Sequence, residues 1–202
     1  MEVRSQPQQR RSREKHDRVL ASAAELLREV PFDQIGTKLI ADRAGVSIGS
    51  LYRFFPDRES IFDTLMTTWL DRHVALAEEQ TADLPPTAGE FLDRLVMAFA
   101  AFWRTEPGYR QAALGHTMPV ESAVSRHNDE QIVDRVARVL TGHYGVPETP
   151  ALRPRLLLAV NVAEFLLQKA FRADPDGDPH VLAELRLLLR RYVDVNGSSP
   201  ER

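Results

Sequence analysis

The stretch AGVSIGSLYRFFPDRE, residues 44–59, decides how the rest of the chain is read. Gly45 stands where a helix can end in a left-handed turn. Ser47 can cap the start of a new helix, Pro56 must stop it, and Asp57 can cap the one after. Upstream, Thr37 to Ala44 leaves room for a short helix with Leu39 or Ile40 and Ala41 turned inward. From Arg13, the apolar residues Val19, Leu20, Ala23, Ala24, Leu26, Leu27 and Val30 recur at three- and four-residue spacing until Pro31. The spacing predicts helices over 13–30, 37–44, 48–55 and 58–80. Three short helices with Ala-Gly-Val-Ser between the second and third describe a helix-turn-helix.

At about 100° per residue, Ile48, Leu51 and Phe55 share one side of the third helix. Gly49, Ser50, Arg53 and Phe54 face away. Two small residues at the exposed start let such a helix come close to base edges. Its N-terminal amides, with Ser47, offer an anion site for phosphate. Tyr52 lies at the boundary of the two sides and Arg58 on the first turn of the next helix, both within reach of phosphates.

The chain has 202 residues, 43% of them apolar, enough for a substantial core. It has no cysteine, so disulfide and thiolate chemistry are excluded. The N-terminus is polar and basic, unlike a secretory signal. The most apolar stretch, residues 156–171, is interrupted by Asn161, Glu164, Gln168 and Lys169, and falls short of the roughly 20 apolar residues that span a bilayer. A cytoplasmic location is expected. Net charge is −3, unevenly spread: residues 1–60 carry 11 Lys+Arg against 9 Asp+Glu (+2), and the remainder 15 against 20 (−5). A basic front third on an acidic body is compatible with local DNA contact.

Beyond Pro85 and Pro86, helical stripes continue through Phe91, Leu92, Leu95, Phe99, Phe102 and Trp103, then Ile132 to Leu140. Residues 156–171 are apolar nearly all round, and a last stripe runs from Val181 to Val193. No strand alternation or internal repeat appears, so the expected fold class is all-α with about nine helices. Residues 1–12 read as a disordered basic arm, 13–57 as the helix-turn-helix domain, and 58–202 as a larger helical domain. No Glu-x-x-His, His-Glu-x-x-His, Gly-x-Gly-x-x-Gly or phosphate-loop motif occurs. Neither an enzyme, a metal nor a cofactor is expected. His127, Asp129 and Glu130 read as a solvated helix start. A helix apolar all round is covered on both sides, by its own core alone or by its core and a partner chain.

Residues 37–61, TKLIADRAGVSIGSLYRFFPDRESI, resemble the DNA-binding segment of the tetracycline-repressor (TetR) family. Thr37, Ile40, Ala41, Ala44, Gly45, Val46, Ser47, Gly49, Ser50, Leu51, Tyr52, Phe55 and Glu59 match its pattern. The chain departs from it at Gly36, where Ser or Thr is usual, at Phe54, in place of Tyr or His, and at Arg58, in place of Lys. The resemblance implies a homodimeric, DNA-binding transcriptional regulator, most often a repressor, on a palindromic operator. It implies DNA contacts from Thr37, Lys38, Ser47, Ile48, Gly49, Ser50, Tyr52, Arg53, Phe54 and Arg58. It also implies a cavity among the middle helices for a small, mostly apolar effector. Phe62, Met66, Trp69, His73, Phe99, Trp103, His116, Asn161, Glu164 and Phe165 are the candidates there. The last two helices would dimerise through Leu156, Val160, Leu167, Phe171, Leu182, Leu185 and Leu189. A helix-turn-helix protein without small-molecule control, acting in chromosome organisation or through a protein partner, is the alternative, and an all-α enzyme a weaker one.

Overall fold

The computed structural model describes residues 6–114 and 123–193. Among them are nine α-helices, one short 3₁₀ turn at Phe32–Gln34 and no strand. The helices are α1 (Gln6–Glu29), α2 (Thr37–Ala44), α3 (Ile48–Tyr52), α4 (Arg58–Glu79), α5 (Ala88–Thr105), α6 (Pro107–Leu114), α7 (Ala123–Gly142), α8 (Leu152–Ala173) and α9 (Pro179–Val193). None of the helices is long and apolar enough to cross a membrane, among the described residues.

The caps read from the sequence form as expected. Gly45 closes α2 at φ 62° and donates its N–H to Ala41 O and Asp42 O. Ser47 Oγ accepts from Ser50 N–H at 3.2 Å. Asp57 Oδ1 accepts from Ser60 N–H at 2.7 Å, and Ser60 Oγ accepts from Asp57 N–H at 3.4 Å, a reciprocal box opening α4.

Three expectations are corrected. The first helix starts at Gln6, not Arg13, so Gln6 to Ser12 are helical and no disordered arm extends to residue 12. Gln, Arg, Glu and Lys are good helix formers and need no apolar stripe to continue a helix already nucleated. The third helix ends at Tyr52 rather than Phe55. Pro56 disfavours helical geometry at the residue before it, so the chain turns through Arg53 and Phe54 before the proline is reached. α6 was not foreseen.

The chain divides into two compact units, and the division falls inside α4 between Trp69 and Leu70. The first holds the described residues up to Trp69 together with α6. Its core is built from Val19, Ala23, Leu26, Leu27, Ile35, Ile40, Leu51, Phe55, Ile61 and Trp69, all buried. α6 lies so close to α1 that a methyl group on Gly108 would meet the Ala24 carbonyl oxygen at 2.8 Å. Trp69 meets Tyr109 of α6 edge to face, with centroids 5.7 Å apart.

The second unit runs from Leu70 to Glu106 and from α7 to the end of α9. α8 packs on α7 and α9, and α9 on α5. Trp103 stacks on Phe171 at 5.6 Å, and Asp93 on α5 receives Arg190 Nε at 2.8 Å and the Arg186 guanidinium. Burial pushes the Asp93 carboxyl up, but the hydrogen bonds from Arg190 and Arg186 outweigh it and hold it below the usual carboxylate range. A depressed carboxyl contributes stability that is present above its unfolded pKa and lost as pH falls through the folded one. Asp93→Asn is therefore expected to cost about 1–2 kcal/mol near neutrality, discounted because both guanidiniums are partly in solvent. The gap to wild type should narrow as pH falls through the depressed folded pKa of Asp93, below which both proteins carry a neutral side chain. Urea unfolding across pH checks both; a gap that does not narrow in acid refutes the assignment.

Candidate nucleic-acid interface

α2, the Gly45 turn and α3 bring one set of side chains to the surface. Lys38, Ser47, Ile48, Gly49, Tyr52 and Arg53 are exposed, while Thr37 and Ser50 are half-buried. Leu51 and Phe55 anchor α3 from beneath, both buried. Ile48 shares the Leu51 side of the helical wheel, yet it is 43% exposed, as a residue free to meet DNA must be. A helix of five residues begins with Ile48 itself, so no preceding turn covers its side chain. On α2 the alternatives resolve with Ile40 buried and Leu39 outward.

Thr37 Oγ1 and Tyr52 Oη lie 3.1 Å apart, tying the start of α2 to the end of α3. The two hydroxyls lie side by side as one polar point, suited to a single phosphate. Among the described residues, Arg11, Arg13, Lys15, Lys38 and Arg53 enter no ion pair within 4.0 Å. Their charge is available to an external anion. Arg58 differs, because its guanidinium lies over the Phe32 ring at 4.7 Å and its Nη2 reaches Glu59 at 2.9 Å. It would have to leave both to reach a phosphate.

Phe54 is half-buried rather than outward. The His16 ring on α1 stacks on Phe55 at 4.9 Å and stands edge-on to Phe54 at 6.0 Å. This histidine props the loop after α3 and was missed in the sequence. Its position on the helical stripe, three residues before Val19, was the available signal.

Among the described residues, the effector candidates fall in both compact units. Phe62, Met66 and Trp69 belong to the first unit: Met66 and Trp69 are buried in its core, and Phe62 packs edge-on to Phe32 at 4.8 Å. His73, Phe99 and Trp103 belong to the second unit. Trp103 is core, and His73 is enclosed by Phe99 and Phe102 at 5.3 and 4.6 Å. Burial, helped by Arg72, pushes the His73 imidazole down to about 4, so it is neutral near pH 7. His116 lies outside the described residues. Asn161, Glu164 and Phe165 do come together, in a groove of about 520 Å³ between α7 and α8 that Asp129, Glu130 and Gln168 also line.

The dimer candidates are corrected too. Leu156, Leu167, Phe171, Leu182, Leu185 and Leu189 are buried in the chain's own core and Val160 is half-buried, so these side chains are already covered. The apolar residues that α8 and α9 turn outward are Leu157, Leu158, Phe165, Leu187, Leu188 and Tyr192.

A short helix presented outward on a helix-turn-helix, beside unpaired cations, is the arrangement of a DNA-binding protein. Residues 19–65 match the family described as "Bacterial regulatory proteins, tetR family", and residues 86–196 match "Tetracyclin repressor-like, C-terminal domain". The chain is 31% identical to a TetR-family transcriptional regulator from Streptomyces coelicolor, covering 89% of this chain and 98% of that one, with a TM-score of 0.71. The fold is shared at 16% identity with FadR of Bacillus subtilis, solved with stearoyl-CoA, covering 90% and 98% at a TM-score of 0.65. A nucleoid occlusion factor, SlmA of Haemophilus influenzae strain PittGG, is 25% identical over 134 residues, 64% of this chain and 59% of that protein. The chain belongs to the TetR family and is a helix-turn-helix transcriptional regulator.

Tyr52→Phe should weaken binding to all DNA sequences alike, since it removes one hydroxyl at the Thr37 pair. Arg53→Ala should relax preference at particular base pairs by about 1–3 kcal/mol. Binding to an arrayed library reads both, and equal loss at every sequence for Arg53→Ala would reduce it to a phosphate contact.

Proposed function

We propose that the protein is a ligand-responsive repressor that binds a palindromic operator as a homodimer. The observation that carries the dimer is the outward apolar stripe of Leu158, Leu187, Leu188 and Tyr192 on α8 and α9, helices packed against each other. A soluble monomer rarely leaves such large side chains clustered in water. Two-fold pairing through this face would give two recognition helices, and with them half-sites about 34–36 Å apart. α4 contributes to both compact units, which supports it as the element an effector would shift. Phe62, Met66 and Trp69 serve this reading as packing along α4; the effector contacts are Asn161, Glu164 and Phe165. A ten-fold change in operator affinity requires about 1.4 kcal/mol of coupling.

Selection of bound duplexes from random DNA tests the reading directly. A palindrome with half-sites one helical turn apart is expected, and no enriched sequence at all would overturn it. The similarity to a nucleoid occlusion factor favours the second reading, a DNA-binding protein without small-molecule control. That reading gains if sites are selected but no compound releases them.

A further inference from the structure

α3 is little more than one turn long, Ile48–Tyr52. A helix of that length does not hold its own direction, so its aim is set by the side chains that anchor it. Leu51, fully buried, anchors it from beneath. Phe55, 3% exposed, anchors the chain that follows. The N–H groups of Phe54 and Phe55 both return to the Leu51 carbonyl, at 2.9 and 3.0 Å. Arg53 and Phe54 sit between these two anchors. The Phe55 ring is held in turn from α1. The His16 ring lies on it at an interplanar angle of 24° and stands at 82° to Phe54. Stacked and edge-on arrangements are both favoured for aromatic rings. Nδ1 of His16 lies 3.1 Å from Asp17 Oδ1. An ionised carboxylate can only accept, so Nδ1–H donates and the orientation of the ring is held from a second side.

We propose that His16 is a positioning residue for DNA recognition: through Phe54 and Phe55 it fixes the turn that carries Arg53, and so sets how Arg53 meets base edges. The proposal rests on the reading of α3 as the recognition helix. His16 stands on α1, outside the pair of helices that makes the helix-turn-helix. A small residue at position 16 would leave Phe55 without its stack and Phe54 without its edge contact. The turn over residues 53–55 would then be free to shift, whereas binding groups have to be held within about 0.5 Å of their productive geometry. Arg53 itself enters no ion pair that could fix it instead.

The test uses the full chain and the operator it selects from random duplexes. His16→Ala should fold, as circular dichroism will confirm, and bind that operator about ten-fold more weakly. Its salt dependence should be unchanged, because no phosphate contact is lost. His16→Phe keeps a ring to stack and gives up the ring nitrogens, and it should bind within about two-fold of wild type. His16→Gln keeps hydrogen-bonding capacity without the stack. It should be as weak as His16→Ala, and it makes the same comparison if alanine unfolds the unit. The loss should fall at the base pairs that Arg53 reads, so His16→Ala added to Arg53→Ala should weaken binding no further there. Wild-type affinity in His16→Ala and His16→Gln overturns the proposal. So does rescue by glutamine but not phenylalanine, or a shallower salt dependence, either of which makes His16 a direct DNA contact. An equal loss at every sequence, additive with Arg53→Ala, also overturns it and reduces the ring to general support of the fold. A wild type that selects no sequence removes the reading of α3 as well; a selected operator held unchanged by all three variants removes only the role of His16.

Discussion

Leu188→Glu is expected to give a folded monomer, whereas Leu185→Glu, three residues earlier on the same helix, is expected to lose the fold. Leu185 is fully buried within its own chain, while Leu188 is 39% exposed. A carboxylate at position 185 has nowhere to go but the interior of the second unit, where an unpaired charge costs several kcal/mol against a total stability of about 5–15. At position 188 the same carboxylate faces water in a lone chain, and a surface substitution of this kind usually changes stability by no more than about 0.5 kcal/mol. It becomes costly only if a second copy covers that face. Two-fold symmetry would then bury the charge twice. Losing the partner removes the second half-site contact, and operator affinity should fall on the order of 100-fold or more. Light scattering and thermal unfolding of both variants decide the matter. A Leu188→Glu protein that stays dimeric would show that the α8–α9 face is not the interface.

What could be read in the sequence followed the range of the interactions involved. The boundaries between α2, α3 and α4 were legible because Gly45, Ser47 and Asp57 act through hydrogen bonds to residues three or four positions away. The end of α3 was overread by three residues because local apolar spacing continues to Phe55, while Pro56 acts backward on the chain. α6 carries no clear apolar stripe, yet Pro107 at its first position was a usable sign of a helix start. The phase of α8 and α9 could not be read. In LRLLLR, residues 185–190, leucines fall on both sides of the helix, and only packing against α5 and α8 shows that Leu185 and Leu189 turn inward while Leu187 and Leu188 do not. The groove was half legible. Asn161 and Glu164 stood out as polar residues on an apolar helix, but Asp129 and Glu130 looked like a solvated helix start until α7, which carries them, was placed beside α8.

Gly49→Ala should stabilise the protein and weaken its grip on DNA. A methyl group built on Gly49 meets no heavy atom within 4 Å, and the residue has none of the positive φ that makes Gly45 necessary. Nothing within the chain therefore calls for glycine at the second position of α3, where alanine is the better helix former by about 0.5–1 kcal/mol. The fold carries a less stable residue at an exposed point, between the exposed Ile48 and the half-buried Ser50. The demand for smallness must come from outside the chain, and close approach of the DNA to the start of α3 supplies it. An added methyl would hold the helix away from the phosphates and base edges that its first amides and Ser50 address, costing several contacts together. Operator affinity is expected to fall more than ten-fold, about 1.4 kcal/mol or more, while the melting temperature rises by roughly 1–4 °C. Gly142→Ala is the control. Gly142 is also helical, with nothing within 4 Å of an added methyl, but it ends α7, away from the helix-turn-helix in the chain. It should gain comparable stability and leave operator binding alone. If Gly49→Ala binds the selected operator as tightly as wild type, the space at the head of α3 is not occupied by DNA, and the docking of this helix has to be reconsidered.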